Sequence, residues 1–143
     1  MTPASPTAGG LAAAYRATTY RARLPDAVID LRPDRLHPVL DRWLAGQGAA
    51  CWAFVTAVNP GSTRLDAAEN GRRLARLAAR LRADGYAFFA GESIADAGDW
   101  PDEPGFFVVG LGAAAALSLA ECFGQNAVLV GAEAQPAGLL WAS

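Results

Sequence analysis

Between residues 51 and 131 the chain switches repeatedly between two hydrophobic periods, and this restricts the fold more than any other feature. Residues 51–58 are an apolar run of strand length, closed by polar turn residues. Residues 63–84 then carry Leu65, Ala68, Leu74, Leu77, Ala78 and Leu81 on one helical face, and Gly85 supplies a stop. Residues 86–91 and 106–111 read as strands, 113–123 as a nearly all-apolar helix ended by Gly124, and 127–130 as another strand. The order strand-helix-strand-strand-helix-strand is the split βαβ arrangement of ferredoxin-like α+β domains. Such a sheet gathers the C-terminal ends of its first two strands and the N-terminal ends of its last two at one edge.

The flanks extend this core. Residues 15–24 alternate bulky and polar side chains and read as a strand, with 28–31 a second, short one. Residues 33–44 are expected to form a helix with Pro33 in its first turn and Leu36, Val39, Leu40, Trp43 and Leu44 on one face. A last short strand is expected at 139–142. Residues 1–13, rich in Pro, Ala, Gly and Ser, are expected to be a disordered tail before a single domain at 14–143.

Charge and composition remove several function classes. The 143 residues carry a net charge of −2 and only 18% charged side chains, so no global field favours nucleic acid or an anionic membrane. All 12 basic residues are arginine, which removes Schiff-base lysine chemistry and the P-loop lysine. The longest apolar run, residues 106–120, falls short of the roughly 20 residues a membrane helix needs and contains glycines. The tail lacks the basic and apolar regions of a signal peptide. Cys51 and Cys122 stand far apart in apolar contexts and read as buried free thiols of a cytoplasmic protein. With one histidine, His37, and no metal-type spacing, neither a zinc site nor a His-based triad is expected, and no cofactor is implied.

The chemistry concentrates after residue 58. Asn59-Pro60-Gly61-Ser62-Thr63 is a polar turn opening a helix, with Thr63 as the expected N-cap and Asp66 able to reach back. Its side chains and the free helix amides beyond it suit an anion or polar ligand, and equally a purely structural turn. On the inferred sheet Asn59, Ser62, Glu92, Ser93, Trp100, Glu103, Gln125 and Asn126 collect at one rim. Asn70 is a poor helix former, which points to a specific bond, with the backbone of residues 56–59 as a partner. Glu69 and Arg73 have the spacing of a helix-surface pair, and Arg72, Arg76, Arg80 and Arg82 add a basic face that reads as solvated. Gly110-x-Gly112-x-x-Ala115 with Glu133 matches the spacing of a dinucleotide fingerprint. No second nucleotide-binding half follows, so close helix–strand packing is the reading preferred for these glycines. The acids Glu92, Asp96, Asp99, Asp102 and Glu103 surround Trp100 in an expected loop at 92–104.

Several motifs, in this order, resemble an uncharacterised bacterial domain-of-unknown-function family over residues 14–131. They are Tyr15-Arg16-Ala17-Thr18-Thr19-Tyr20, Thr56-Ala57-Val58-Asn59-Pro60-Gly61-Ser62, Glu69-Asn70-Gly71-Arg72, Trp100-Pro101-Asp102-Glu103-Pro104 and Phe123-Gly124-Gln125-Asn126-Ala127. A small polar residue usually follows Glu-Pro in that family, where this chain has Gly105, which weakens any hydroxyl-based role there. The resemblance implies no activity, cofactor or catalytic residue.

The residues themselves lead to a cytoplasmic binding module for a small polar or anionic ligand, contacted by Asn59, Ser62, Thr63, Glu92, Ser93, Trp100, Glu103, Gln125 and Asn126. Two alternatives remain open. One is a hydrolase or transferase using Glu92, Glu103 or Glu69, which needs two ionisable groups in one cleft. The other is a protein-interaction domain, which needs an exposed apolar patch.

Overall fold

The computed structural model describes residues 8–142. Helix α1 (Ala8–Arg16) leads into strands β1 (Thr18–Arg23) and β2 (Val28–Leu31), then helix α2 (Pro38–Gly46) and strand β3 (Cys51–Val55). A single 3-10 turn (Pro60–Ser62) precedes helix α3 (Ala67–Ala83), after which come β4 (Phe88–Ala95), β5 (Glu103–Val109), α4 (Ala113–Cys122), β6 (Ala127–Ala132) and β7 (Gly138–Trp141). The strands make one seven-stranded sheet in the order β2-β1-β4-β5-β3-β6-β7. Every neighbouring pair is antiparallel, and the fold is α+β.

The period-two alternation of β3 divides the core between the two faces of the sheet. Trp52 and Phe54 join Tyr20, Leu31, Leu40, Leu44, Phe107 and Leu129 on one face. Ala53 and Val55 point the other way, against Leu77 and Leu81 of α3 and Ala116, Leu119 and Ala120 of α4. Each fully buried leucine contributes about 2 kcal/mol of transfer free energy, so α3 and α4 are held chiefly by these stripes. On the first face the rings come very close to the strands. A Cβ at Gly91 would lie 2.8 Å from Phe54 Cε2, and one at Gly105 would lie 2.7 Å from Phe54 Cε1. Gly91 and Gly105 are cross-strand partners, so a flat patch of backbone receives the Phe54 ring.

Several elements differ from the sequence expectations. Residues 8–13 belong to α1, which extends through Tyr15 and Arg16, so β1 begins only at Thr18. Alanine-rich sequence has high helix propensity, which the loop-like composition hid. Residues 1–7 of the expected tail lie outside the described residues. Helix α2 starts at Pro38 and not Pro33, because a residue before proline is pushed out of the helical region, and His37 accordingly sits at φ −132°, ψ 75°. Leu40 and Leu44 are buried, whereas Leu36 and Val39 are exposed. Thr63 is extended and closes the 3-10 turn without capping α3, whose N-cap is Asp66, its carboxylate accepting from Glu69 N at 2.7 Å. Strand β4 continues to Ala95 because β1 pairs with it as far as Thr18 opposite Ala95, which removes Glu92 and Ser93 from the expected loop. The cysteines are not both buried, since Cys122 is exposed and Cys51 half-buried. Finally, close helix–strand packing does not account for Gly110 and Gly112, since a Cβ at either would meet nothing within 4 Å; Gly110 instead turns the chain with φ +78°, and the described strands pair only antiparallel, without the parallel pair of a dinucleotide-binding unit.

The registers define one end of the sheet. Val55 lies opposite Phe106, Ser93 opposite Glu103, Thr18 opposite Ala95 and Ala127 opposite Trp141. The C-terminal ends of β3 and β4 therefore meet the N-terminal ends of β1, β5 and β6.

Candidate ligand-binding cavity

At that end the motif residues form one hydrogen-bonded knot centred on Asn59, which is buried. Its amide N–H donates to Asn70 Oδ1 at 3.0 Å, and its own Oδ1 accepts from Leu65 N at 2.9 Å and Asn70 Nδ2 at 2.8 Å. Its Nδ2 donates to Glu103 Oε2 at 2.6 Å. Asn59 adopts a left-handed conformation, φ +47°, as do Gly61 at +62° and Ser62 at +60°. Asparagine tolerates this region better than most residues and glycine freely, which explains the composition of the turn. The FGQN segment braces it from behind. Gly61 N donates to Gly124 O at 2.8 Å, Gln125 Nε2 to Val58 O at 3.0 Å, and Arg73 Nε to Ala57 O at 2.6 Å. Arg73 Nη2 also donates to Phe123 O, so Arg73 is committed to this brace and does not pair with Glu69. Glu69 instead meets Arg72 and Arg76.

The turn amides expected to receive an anion are already used. Ser62 N donates to Asn59 O at 3.0 Å and Thr63 N to Pro60 O at 3.1 Å, while the Asp66 carboxylate occupies the first turn of α3. That N-cap carboxylate satisfies one amide, Glu69 N, and offsets the positive end of the helix dipole.

In front of the knot lies a cavity of about 660 Å³. Its floor includes Tyr20, Phe54 and Leu129 of the sheet, and Leu11, Ala14 and Tyr15 of α1 contribute one wall. Ser62, Thr63, Arg64, Ser93, Trp100, Glu103 and Gln125 also line it. Tyr15 fixes α1 here. Its ring packs edge-on against Trp141 at 5.1 Å, and its hydroxyl faces Ser62 and Asn126, whose Nδ2 donates to Ser62 Oγ at 2.8 Å. Burial pushes the Tyr15 and Tyr20 phenols up, so both are neutral hydroxyls. Burial also pushes the Glu103 carboxyl up, partly offset by its hydrogen bonds to Asn59 and Trp100. A smaller cleft of about 200 Å³, bordered by Asn59, Asn70 and Asp102, adjoins Glu103 and Arg64 from the other side.

Of the residues singled out in the sequence, Ser62, Thr63, Ser93, Trp100, Glu103 and Gln125 line the large cavity. Asn126 reaches it through Ser62, and Asn59 stands behind Glu103 as its hydrogen-bond donor. Glu92 does not belong with them. Ser93 and Glu103 share the face of Tyr20, so Glu92, one residue on in a pleated strand, projects to the opposite face and pairs with Arg23. That arginine holds the Glu92 carboxyl below the usual carboxylate range. Asp96 is likewise taken up by Arg32, at 2.8 Å. Among the described residues no group of three or more His, Cys, Asp or Glu could hold a metal ion.

Tyr15, Tyr20, Phe54 and Arg64 were absent from the expected lining. The two tyrosines stand in the motif Tyr15-Arg16-Ala17-Thr18-Thr19-Tyr20, and its position beside the rim depends on β1 pairing with β4, a non-local contact. The signal that could have found Tyr20 was the alternation of β1, which places Tyr20 and Ala22 on the core face.

No curated protein and no solved structure matches the chain. A family of proteins of unknown function, DUF3293, matches residues 55–128, from the end of β3 to the start of β6. The matched span holds the Asn59 knot, Glu103 and the Gly124–Gln125 brace, and the chain belongs to this family.

Proposed function

We propose that the protein binds a small polar ligand with an apolar or aromatic body in the cavity between α1 and the end of the sheet. One observation carries this reading: a cavity of about 660 Å³ combines aromatic side chains with a half-buried carboxyl, Glu103, oriented by Asn59. Ligand pockets typically measure roughly 300–1,000 Å³ and pair apolar walls with a few oriented polar groups. The anionic ligand expected from the turn is less well supported, because the turn amides are bonded within the protein. A second reading, acid/base catalysis, draws on the upward-shifted Glu103 carboxyl facing the same space. The strand order β4-β5-β3-β6 with α3 and α4 on one face supports a ferredoxin-like core at 51–131, extended by β1, β2 and β7. The unpaired cysteines suit a cytoplasmic setting, and no described helix is long and apolar enough to cross a membrane.

A thermal-shift screen against polar metabolites of varied charge tests the reading. At 100-fold excess over Kd a ligand stabilises by about 2.7 kcal/mol, a shift of several degrees. Ser93→Leu should retain the fold but lose this response by filling the cavity, while Glu92→Gln, on the opposite face, should respond as the wild type does. No response to any compound, or an undiminished one in Ser93→Leu, would overturn the proposal.

A further inference from the structure

Glu103 and Arg64 line both the large cavity and the smaller cleft, so two opposite charges stand where the two spaces join. They form no ion pair with each other, and Arg64 makes no hydrogen bond or ion pair among the described residues. A carboxylate beside an uncommitted guanidinium usually pairs with it. Here Asn59 donates to the carboxyl at 2.6 Å, and the guanidinium is left exposed on a flexible stem. Beyond this pair the smaller cleft mixes Asn59, Asn70 and Asp102 with apolar residues such as Val58 and Leu65, whereas the large cavity also reaches the aromatic and aliphatic surface of Phe54 and Leu129.

Resting on the cavity reading above, we infer that the ligand is a zwitterion of the α-amino acid class, its ammonium on Glu103, its carboxylate on Arg64 and its apolar side chain against Phe54 and Leu129. An ammonium at Glu103 offsets the cost of keeping that half-buried carboxylate ionised, and Asp102 borders the adjoining cleft with a second negative charge. Arg64 matches a carboxylate with two parallel N–H donors. A cavity of about 660 Å³ accommodates even an aromatic side chain.

The test compares three probes on the wild-type chain by calorimetry: L-phenylalanine, phenethylamine, which lacks the carboxylate, and 3-phenylpropionate, which lacks the ammonium. The zwitterion should bind at least about tenfold more tightly than either truncated probe, the usual effect of removing one partner of a charge-assisted contact. L-Leucine, with the same head group, serves as a second zwitterion. Arg64→Gln should erase the advantage of phenylalanine over phenethylamine, and Glu103→Gln its advantage over phenylpropionate. Both substitutions keep hydrogen-bonding side chains, and circular dichroism verifies the fold. Equal binding of the amine or the acid overturns the inference. So does failure of both amino acids when other metabolites in the thermal-shift screen bind, an outcome that leaves the cavity reading standing. Silence of the whole screen removes the cavity reading itself.

Discussion

Replacing Asn59 with alanine tests the centre of the hydrogen-bonded knot. The substitution removes an acceptor shared by Leu65 N and Asn70 Nδ2 and a donor to Glu103 Oε2. A neutral hydrogen bond contributes about 1 kcal/mol net, and one to a charged group about 1.5–3 kcal/mol. Three such losses would come to roughly 4 kcal/mol if every partner stayed dry. Asn59 borders the smaller cleft, however, so water can replace part of what is lost and lower the sum to about 2 kcal/mol. The backbone adds to this, because φ +47° suits alanine less than asparagine by up to ~1 kcal/mol. The expected cost is therefore about 3 kcal/mol, or roughly 10 °C in Tm for a domain of this size. Urea denaturation monitored by circular dichroism measures it directly, with an unchanged slope showing that the unfolded state is not the cause. A loss below about 1 kcal/mol would refute the reasoning, since the knot would then contribute no more than a single surface hydrogen bond.

Two further outcomes follow from the same geometry. Burial raises the Glu103 carboxyl above its ordinary value of 4.5, so the folded state holds this proton more tightly than the unfolded chain. The Glu103 contribution to stability should fall as pH rises from that value through the raised one, and Glu103→Gln should flatten this part of a Tm-against-pH profile. Gly105→Ala places a methyl group 2.7 Å from both Phe54 Cε1 and Val55 O, and because the backbone oxygen cannot give way it should cost about 2 kcal/mol or more in urea denaturation. The same contact explains why the residue after Glu-Pro is a glycine in this chain.

Much of the architecture is local in origin and was legible in the residues. The apolar run of 51–58, the amphipathic stripe ending in Leu77 and Leu81, and the glycine stops at 85 and 124 each act within one element, so they fix its type without reference to the rest of the chain. The amide of Asn70 was readable for a related reason, as a poor helix former retained in a helix, and it does bond the Asn59 backbone. Element boundaries were less legible wherever a neighbour decided them. Strand β4 runs past Gly91 only because β1 pairs with it, and Pro38, not Pro33, opens α2 because its ring excludes His37 from the helix. The cavity itself is a tertiary product. Glu92 and Ser93 are adjacent in sequence and equally polar, yet the pleat and the β1 register send Ser93 to the cavity and Glu92 to Arg23 on the far face. Sequence alone determined that polar side chains would gather at one end of an antiparallel sheet. Only the pairing of β1 and the docking of α1 decided which of them face a common space, because those contacts join residues far apart in the chain.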